Sequence, residues 1–287
     1  MKELVIISGK GGTGKTSLTA CFAFLAKDKV MADCDVDASD LHILVHPKTL
    51  QEEEFRAGAK AAIDLQMCSQ CGTCRESCRF DAISEQFMVN PRVCEGCGVC
   101  LHVCPEGAVS FKEALNGHWF VSDTRFGPMI HAALLPGEEN SGKLVALVRN
   151  QAKVVARKQG KPLMLVDGAP GVGCPVISSI TGADHVLIVT EPTHSGLHDM
   201  KRAMQLARGF RIPVSVVTNK HDLNPEVTEQ IEAYSGNSQA TILGRIPHDP
   251  QVIRSMVQRR CVVEDGDSPA SRAIRDVWAK FEPALCS

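Results

Sequence analysis

The chain has 287 residues, 44% of them hydrophobic, and a formal net charge of -2 at pH 7. This length suffices for one large domain and a smaller one, and the charge argues against a general nucleic-acid-binding protein. No apolar run reaches membrane-spanning length. The start Met1-Lys2-Glu3 leads directly into a strand pattern with no signal peptide, so we expect a cytoplasmic protein.

Strand and helix patterns alternate along most of the chain. Apolar runs predict strands at 4–7, 30–32, 163–166, 186–189 and 214–217. Helical patterns follow the first strand's loop and cover 142–158, 196–208 and a segment near the carboxyl end, and residues 51–60 are polar and helix-prone. Such alternation predicts an α/β fold with a mainly parallel sheet and helices on both of its faces.

A phosphate-binding loop follows the first strand. Residues 9–16 fit G-x-x-x-x-G-K-[ST] between a strand and a helix, and glycines let backbone N–H groups turn toward phosphate oxygens. We expect Lys15 to reach the β- and γ-phosphates and Thr16 to ligate Mg²⁺. The expected nucleotide contacts are Gly9, Lys10, Gly11, Gly12, Thr13, Gly14, Lys15, Thr16 and Ser17.

A cysteine pattern, C-x2-C-x2-C-x3-C, occurs twice, with its copies 26 positions apart. Apolar positions repeat as well, since Ile63 corresponds to Val89 and Ile83 to Val109. The spacing is typical of a unit that binds an iron–sulfur cluster. A disulfide framework has no reason to repeat this spacing, and zinc usually takes paired C-x2-C knuckles. The cysteines are Cys68, Cys71, Cys74 and Cys78, then Cys94, Cys97, Cys100 and Cys104.

Two later strands and a helical stripe carry further signals. Asp167 ends an apolar strand and precedes a Gly-Ala-Pro-Gly loop, at the sheet edge where such folds bind ligands. Residues 219–222 read N-K-H-D, which fits the guanine-reading N-K-x-D pattern. Near the carboxyl end a helical stripe favours packing against the sheet over membrane binding; it consists of Ile274, Val277, Trp278 and Phe281.

Residues 10–16 resemble the K-G-G-x-G-K-[ST] loop of the MinD/ParA group of P-loop ATPases, and residues 33–35 resemble its D-x-D. The resemblance implies that Lys10 contacts nucleotide phosphate across the interface of an ATP-dependent homodimer. It also implies that Asp35 orients or activates the attacking water. Hydrolysis of ATP, slow and stimulated by a partner, is the expected activity.

The same resemblance also implies which residues bind Mg²⁺ and which residue contacts the nucleobase. Asp33 and Asp167 would lie beside the Mg²⁺ that Thr16 ligates, and Asn219 would contact adenine. The lysine-first loop favours ATP, although the N-K-x-D pattern keeps GTP as an alternative.

Residues 61–114 resemble bacterial two-cluster ferredoxins, in which the fourth cysteine of each run ligates the other cluster. The resemblance implies one [4Fe-4S] cluster on Cys68, Cys71, Cys74 and Cys104. The other would be held by Cys78, Cys94, Cys97 and Cys100. Pro105 fits these ferredoxins, whereas Arg79 after Cys78 departs from them. We therefore predict a ferredoxin-like domain at 61–114 that interrupts a P-loop domain at 1–60 and 115–287.

These features together predict an ATP-driven dimeric switch coupled to electron transfer or redox sensing, with a redox or apo-protein partner. One alternative is a cluster-assembly ATPase similar to Mrp-type carriers, although the C-x-x-C that those carriers have near the carboxyl end is missing. Another is a MinD-like positioning protein with redox-sensing clusters. Cys174 lies near Asp167, and fold relatives that share a cluster between subunits imply a possible extra ligand there, against the alternative of a buried structural thiol.

Overall fold

The computed structural model describes residues 1–138 and 142–286, with side chains through residue 283. The chain forms two compact units. The first unit comprises Met1–Glu53, Trp119–Ala133 and the described part of Asn140–Ser287, and the second unit comprises the described part of Glu54–His118 and Leu134–Glu139. All eight repeated cysteines belong to the second unit.

The strands of the described residues are β1 (Lys2–Ser8), β2 (Lys29–Asp33), β3 (Lys48–Ile63), β4 (Val109–Asp123), β5 (Met129–Leu134), β6 (Leu163–Pro170), β7 (His185–Thr190), β8 (Val214–Asn219) and β9 (Thr241–Ile246). The helices are α1 (Lys15–Leu25), α2 (Leu41–Val45), α3 (Thr73–Glu76), α4 (Val99–Val103), α5 (Lys143–Lys158), α6 (Cys174–Ile180), α7 (His194–Gly209), α8 (Pro225–Asn237), α9 (Pro250–Val257) and α10 (Pro269–Cys286). Two short 3₁₀ turns cover His221–Leu223 and Val262–Glu264.

The strands form one sheet in the order β3-β4-β5-β2-β6-β1-β7-β8-β9, and the pairs from β5 to β9 are parallel. Central strands such as β1 are buried along almost their whole length, as parallel strands covered on both faces are. Asp33 on β2 pairs in register with Asp167 on β6, which itself pairs with β1. The carboxyl ends of these three strands therefore bring the phosphate loop and both aspartates to one edge. The predicted α/β fold with a mainly parallel sheet is confirmed.

Two local predictions are wrong. Residues 51–60 belong to β3 rather than to a helix, and Phe55 is the buried side chain among them. Strand pairing overrides the helix propensity of the Glu, Gln and Lys residues in this segment. The strand expected to end at Asp167 continues to Pro170, because Pro170 still pairs with Ser8 on β1 and the Gly171 N–H donates to the Ser8 carbonyl at 2.8 Å.

The carboxyl-terminal stripe packs in the core of the first unit, as predicted. Ile274, Val277, Trp278 and Phe281 are all buried there. The Trp278 ring lies 5.0 Å from that of Phe22 on α1, so α10 anchors the helix that begins at the phosphate loop. Among the described helices, none has the length and apolar content that crossing a membrane requires.

Candidate functional site

The phosphate loop has a backbone that only glycine adopts easily. Gly12 and Gly14 have φ values of +80° and +88°, in the left-handed region that other residues rarely enter. A Cβ on Gly14 would lie 2.4 Å from Asn219 Nδ2, and one on Gly9 would lie 2.4 Å from Asp199 Cβ. The loop is therefore held tightly against β8 and α7, and α1 begins directly after it at Lys15, with its N-terminus available to an anion.

A cavity of about 400 Å³ opens beside this loop, within the range of small-molecule sites. Its lining residues are Ser8, Gly11, Gly12, Thr13, Gly14, Lys15, Thr16, Ser17, Asp35, Ala38, Asp40, Pro170, Asn219, Lys220, Pro247, His248, Asp249, Val252, Ile253 and Met256. Thr13 is only 2% exposed, and its hydroxyl has no hydrogen-bond partner in the described part of the chain. A buried unpaired hydroxyl costs about 1–3 kcal/mol, so this atom fits a ligand that supplies the missing bond.

Lys15 lies among carboxylates at the floor of the cavity. Its Nζ is 2.8 Å from Asp167 Oδ1 and 3.2 Å from Asp35 Oδ2. The Thr16 hydroxyl donates to Asp167 Oδ2 at 2.7 Å. Burial alone would lower the pKa of Lys15, but attraction to Asp167 and Asp35 outweighs it and the net pKa is raised. Lys15 is therefore a permanent cation, as a phosphate-binding lysine must be.

Asp33 is fully buried beside these groups. One oxygen accepts from the Asp35 backbone N–H at 3.2 Å, and the other accepts from the Ser39 hydroxyl at 2.8 Å. Burial raises the pKa of Asp33, and the neighbouring charge of Asp167 raises it further. Burial also raises the pKa of Asp35, although Lys15 opposes that shift. A cation near these carboxylates would relieve their mutual repulsion.

A Mg²⁺ site fits this donor set. Mg²⁺ is usually bound by one or two carboxylates together with waters and substrate phosphates, and Thr16 and Asp167 already share a hydrogen bond. No three His, Cys, Asp or Glu side chains of the described residues are close enough to enclose a metal ion by themselves.

Lys10 turns away from the cavity toward the start of α7. Its Nζ lies 3.3 Å from Thr193 Oγ1, 3.2 Å from Ser195 Oγ and 4.0 Å from Glu191 Oε2. Glu191 also binds Lys220 Nζ at 2.5 Å. Sequence reasoning missed this group, although a Thr two positions before a Ser-Gly pair is a recognisable helix N-terminus. The role of Lys10 across a dimer stays a prediction.

The side of the cavity where the nucleobase is expected is formed by residues of β8 and α9. Asn219 Nδ2 donates to the Thr13 carbonyl at 2.8 Å, so this amide supports the phosphate loop directly. Asp222 does not line the cavity; its carboxylate accepts from the His248 backbone N–H at 2.7 Å, and this bond lowers the pKa of Asp222. The apolar wall on α9 was missed by sequence reasoning, although Asp249 followed by Pro250 marks a capped helix start there.

In the second unit, the two cysteine runs repeat in three dimensions. Each run has left-handed residues at the same three positions, and the φ values agree within 11°. The pairs are Gln70 with Gly96 (+58° and +66°), Gly72 with Gly98 (+83° and +83°) and Asp81 with Gly107 (+50° and +61°). Because non-glycine residues rarely adopt such φ, their recurrence at Gln70 and Asp81 shows that both runs form the same turns.

The segment before each cysteine run is hydrogen-bonded to the segment after the other run. Asp64 N–H donates to the Ala108 carbonyl at 2.8 Å, and at the equivalent positions Asn90 N–H donates to the Ala82 carbonyl at 2.8 Å. Asp64 lies before the first run and Ala108 after the second run, whereas Asn90 lies before the second run and Ala82 after the first. Each copy is therefore completed by the tail of the other, which is the arrangement that exchange of the fourth cysteine requires.

Four of the repeated cysteines, one from the first run and three from the second, line the same cavity. Cys78 joins the second triplet around a small cavity of about 20 Å³, which is otherwise mostly apolar. Its lining residues are Ala61, Cys78, Phe80, Ala82, Ile83, Val89, Cys94, Glu95, Gly96, Cys97, Gly98, Val99, Cys100 and Phe111. Burial raises the pKa of Cys74, and smaller raising contributions come from Cys68, Cys104 and Cys71. These neighbours are the other predicted ligand set.

The remaining cysteines divide by exposure. Cys21, Cys34 and Cys261 are buried. Cys174 is exposed at the first residue of α6, so its interpretation as a buried structural thiol is wrong. The side chain of Cys286 lies outside the described residues.

Comparisons with known proteins agree with this geometry. The family model described as "CobQ/CobB/MinD/ParA nucleotide binding domain" matches residues 4–261. An uncharacterised protein of Methanocaldococcus jannaschii is 33% identical over 285 residues, covering 98% of this chain and 96% of that protein. The septum site-determining protein MinD of Bacillus subtilis is 23% identical over 287 residues, covering 96% and 87% of the two chains.

Solved structures share the fold. The MinC:MinD cell division complex of Aquifex aeolicus matches with a TM-score of 0.58 and 19% identity, covering 99% of this chain and 96% of that one. MinD of Pyrococcus horikoshii in complex with Mg-ADP matches with a TM-score of 0.58 and 15% identity, again covering 99% and 96%.

Proposed function

Because this chain belongs to the CobQ/CobB/MinD/ParA family of nucleotide-binding domains, we propose that it is an ATPase that works as a dimeric switch. We further propose that its second unit holds two [4Fe-4S] clusters, and that the nucleotide state controls electron transfer or redox sensing by them. The redox half is supported by the repeated cysteine spacing and by one cavity that Cys78, Cys94, Cys97 and Cys100 line together.

Different residues of the first unit bind the phosphates, hold Mg²⁺ and orient the attacking water. Lys15 exchanges its carboxylate partners for the β- and γ-phosphates, where a fixed positive charge stabilises the transition state. Thr16, Asp33 and Asp167 hold the Mg²⁺ side of the site. This exchange frees Asp35, which lies 3.2 Å from Lys15 Nζ, to orient the attacking water.

Lys10 would complete the site of a second copy. Its present partners, Thr193 and Ser195, are neutral hydroxyls, and Glu191 Oε2 lies 4.0 Å away. A triphosphate carries more negative charge than this group, so it can attract Lys10 across an interface. The Pyrococcus horikoshii relative binds Mg-ADP, and we propose the same class of ligand here, with ATP as the substrate.

Adenine is favoured over guanine by the position of Asp222. A guanine-reading aspartate must present its carboxylate to the base, but Asp222 holds the His248 N–H and lies outside the cavity lining. We expect GTP to displace a fluorescent ATP analogue at least about tenfold less well than ATP does, since one unmade buried hydrogen bond costs about 1–3 kcal/mol. Asp222→Ala should leave the ATP/GTP preference unchanged; a site that reads guanine would instead prefer GTP and lose it in this variant.

In the second unit the fit to clusters rests on the type and arrangement of donors. Thiolates are the ligands of [4Fe-4S] clusters, and each such cluster would accept or release one electron. Within the second unit, apolar side chains at Ile83, Val89 and Phe111 limit water around one cysteine group. Shielding and backbone N–H bonds to sulfur tune the potential of such a site. The domain boundaries at 61 and 114 remain part of this proposal.

Coupling is tested by its reciprocity. If reduction of the clusters changes Mg·ATP affinity by some factor, Mg·ATP must change the cluster reduction equilibrium by the same factor. We expect about fivefold or more in both measurements, made anaerobically on oxidised and dithionite-reduced protein. Equal ATP affinity and ATPase rate in both redox states, with an unmoved midpoint potential, would contradict the coupled switch. Iron content near zero would contradict the cluster assignment instead.

A MinD-like positioning role is the second candidate, favoured by relatives that match almost the whole chain. The apolar stripe of α10 is buried in the first unit's core, so these four residues do not offer a membrane-binding face. A positioning role would therefore act through a protein partner, as the MinC:MinD complex of Aquifex aeolicus illustrates for that relative.

A further inference from the structure

The two cysteine groups differ in hydroxyl donors at two equivalent positions. In the first run Thr73 Oγ1 lies 3.5 Å from Cys71 Sγ, and Ser69 provides a second hydroxyl two residues before Cys71. Their counterparts in the second run are Val99 and Glu95, neither of which can donate a hydrogen bond as valine or carboxylate. A cysteine sulfur bound to iron only accepts, so the Thr73 hydroxyl would donate to it.

Backbone donors do not create the same difference. The Arg75 N–H donates to the Gly72 carbonyl at 2.9 Å, and at the equivalent position the Leu101 N–H donates to the Gly98 carbonyl at 3.0 Å. The group that contains Cys78 has one backbone donor of its own, since the Ala82 N–H lies 3.4 Å from Cys78 Sγ. Its counterpart beside Cys104 is also an alanine with an N–H, Ala108, so this donor type is available to both groups.

The side chains around the two groups differ in the same direction. Phe80 and Val99 line the cavity of the group that contains Cys78. At the equivalent repeat positions, the first run has Thr73 and the segment after Cys104 has Glu106. Glu106 is exposed, so solvent screens its charge. The group with Cys78 is thus the more apolar, and the group with Cys71 has the extra hydroxyls.

Reduction adds one negative charge to a cluster. Hydrogen bonds to sulfur stabilise that charge and apolar surroundings disfavour it, so both effects shift the reduction potential. We propose, on the basis of the two-cluster function above, that the cluster held by Cys68, Cys71, Cys74 and Cys104 has the higher potential and takes the first electron. Thr73 is the main residue that sets this order. The expected preference is about tenfold, which equals about 59 mV for a one-electron couple.

A reciprocal pair of variants tests the order. Thr73→Val gives the first run the residue found in the second, and Val99→Thr does the reverse. The measurement is an anaerobic dithionite titration followed by electron paramagnetic resonance, with iron content determined for each protein. In the wild type we expect two one-electron steps. Thr73→Val should lower the upper midpoint alone, and Val99→Thr should raise the lower midpoint alone.

The possible results distinguish the proposed order of reduction from the proposed presence of two clusters. Coincident midpoints in the wild type, or a Thr73→Val change that moves the lower step or neither step, would overturn the proposed order while the clusters stay in place. A wild-type protein with little iron would overturn the two-cluster function itself. If Thr73→Val loses iron, Ser69→Ala provides the second test, and it must lower the same upper midpoint.

Discussion

Lys15→Ala should lower the ATPase rate by at least about 10²–10³-fold, the range seen when one preorganised charge-stabilising donor is removed. In this structure Lys15 is the cation between Asp35 and Asp167. Its removal therefore also leaves a group of buried carboxylates without a positive partner. Single-turnover hydrolysis of Mg·ATP measures the first effect, and Lys27→Ala on the exposed surface is the matched control.

The same substitution should change how stability depends on pH. Burial raises the folded-state pKa of Asp33 and Asp35 above their ordinary values. A carboxyl whose folded pKa is raised stabilises the fold at low pH and loses that contribution as pH rises through the folded pKa. Without Lys15 the shift grows, so thermal stability of the variant should fall more steeply toward neutral pH than that of the wild type. Parallel pH profiles for the two proteins would show that Lys15 does not neutralise this group.

Removal of cysteines in pairs should show which sulfurs share a cluster. Cys78→Ala and Cys94→Ala should each lower the iron content from about eight to about four per chain. Because these residues line one cavity, the double variant should also retain about four. Combining Cys78→Ala with Cys68→Ala should remove nearly all iron, since the proposed function assigns the two sulfurs to different clusters.

The opposite pattern would contradict exchanged ligation. If the double variant of Cys68 and Cys78 retains about half the iron while that of Cys78 and Cys94 retains almost none, each run holds its own cluster. Cys174→Ala is the control and should retain all of the iron, since Cys174 lies in the first unit. Iron is measured on anaerobically prepared protein, with the visible spectrum confirming the cluster type.

Short-range features were predictable from sequence. The phosphate loop and the cysteine runs depend on spacing within about ten residues, and their conformations follow from glycine and turn geometry. The main strands were predictable because buried parallel strands are continuous apolar runs. The stripe on α10 was predictable from its helical period.

Features set by distant contacts were not predictable. The partners of Lys10 lie more than 180 positions away in the sequence, and no local pattern connects them. Asp222 matches a guanine-reading motif, but its bond to His248 depends on how β9 and α9 are placed. Residues 51–60 have helix-prone composition, and only pairing in the sheet makes them a strand. The sequence therefore identified the chemistry, whereas the folded chain determines which groups are free to perform it.

The ion pairs of Lys15 also bear on the order in which ligands arrive. A free divalent ion approaching Asp35 and Asp167 meets a resident ammonium group that is already well paired. A triphosphate gives that ammonium group new anionic partners, and only then are the carboxylates released. Metal should consequently enter together with the nucleotide rather than ahead of it. The protein should therefore bind the metal–nucleotide complex and have little affinity for free divalent cations.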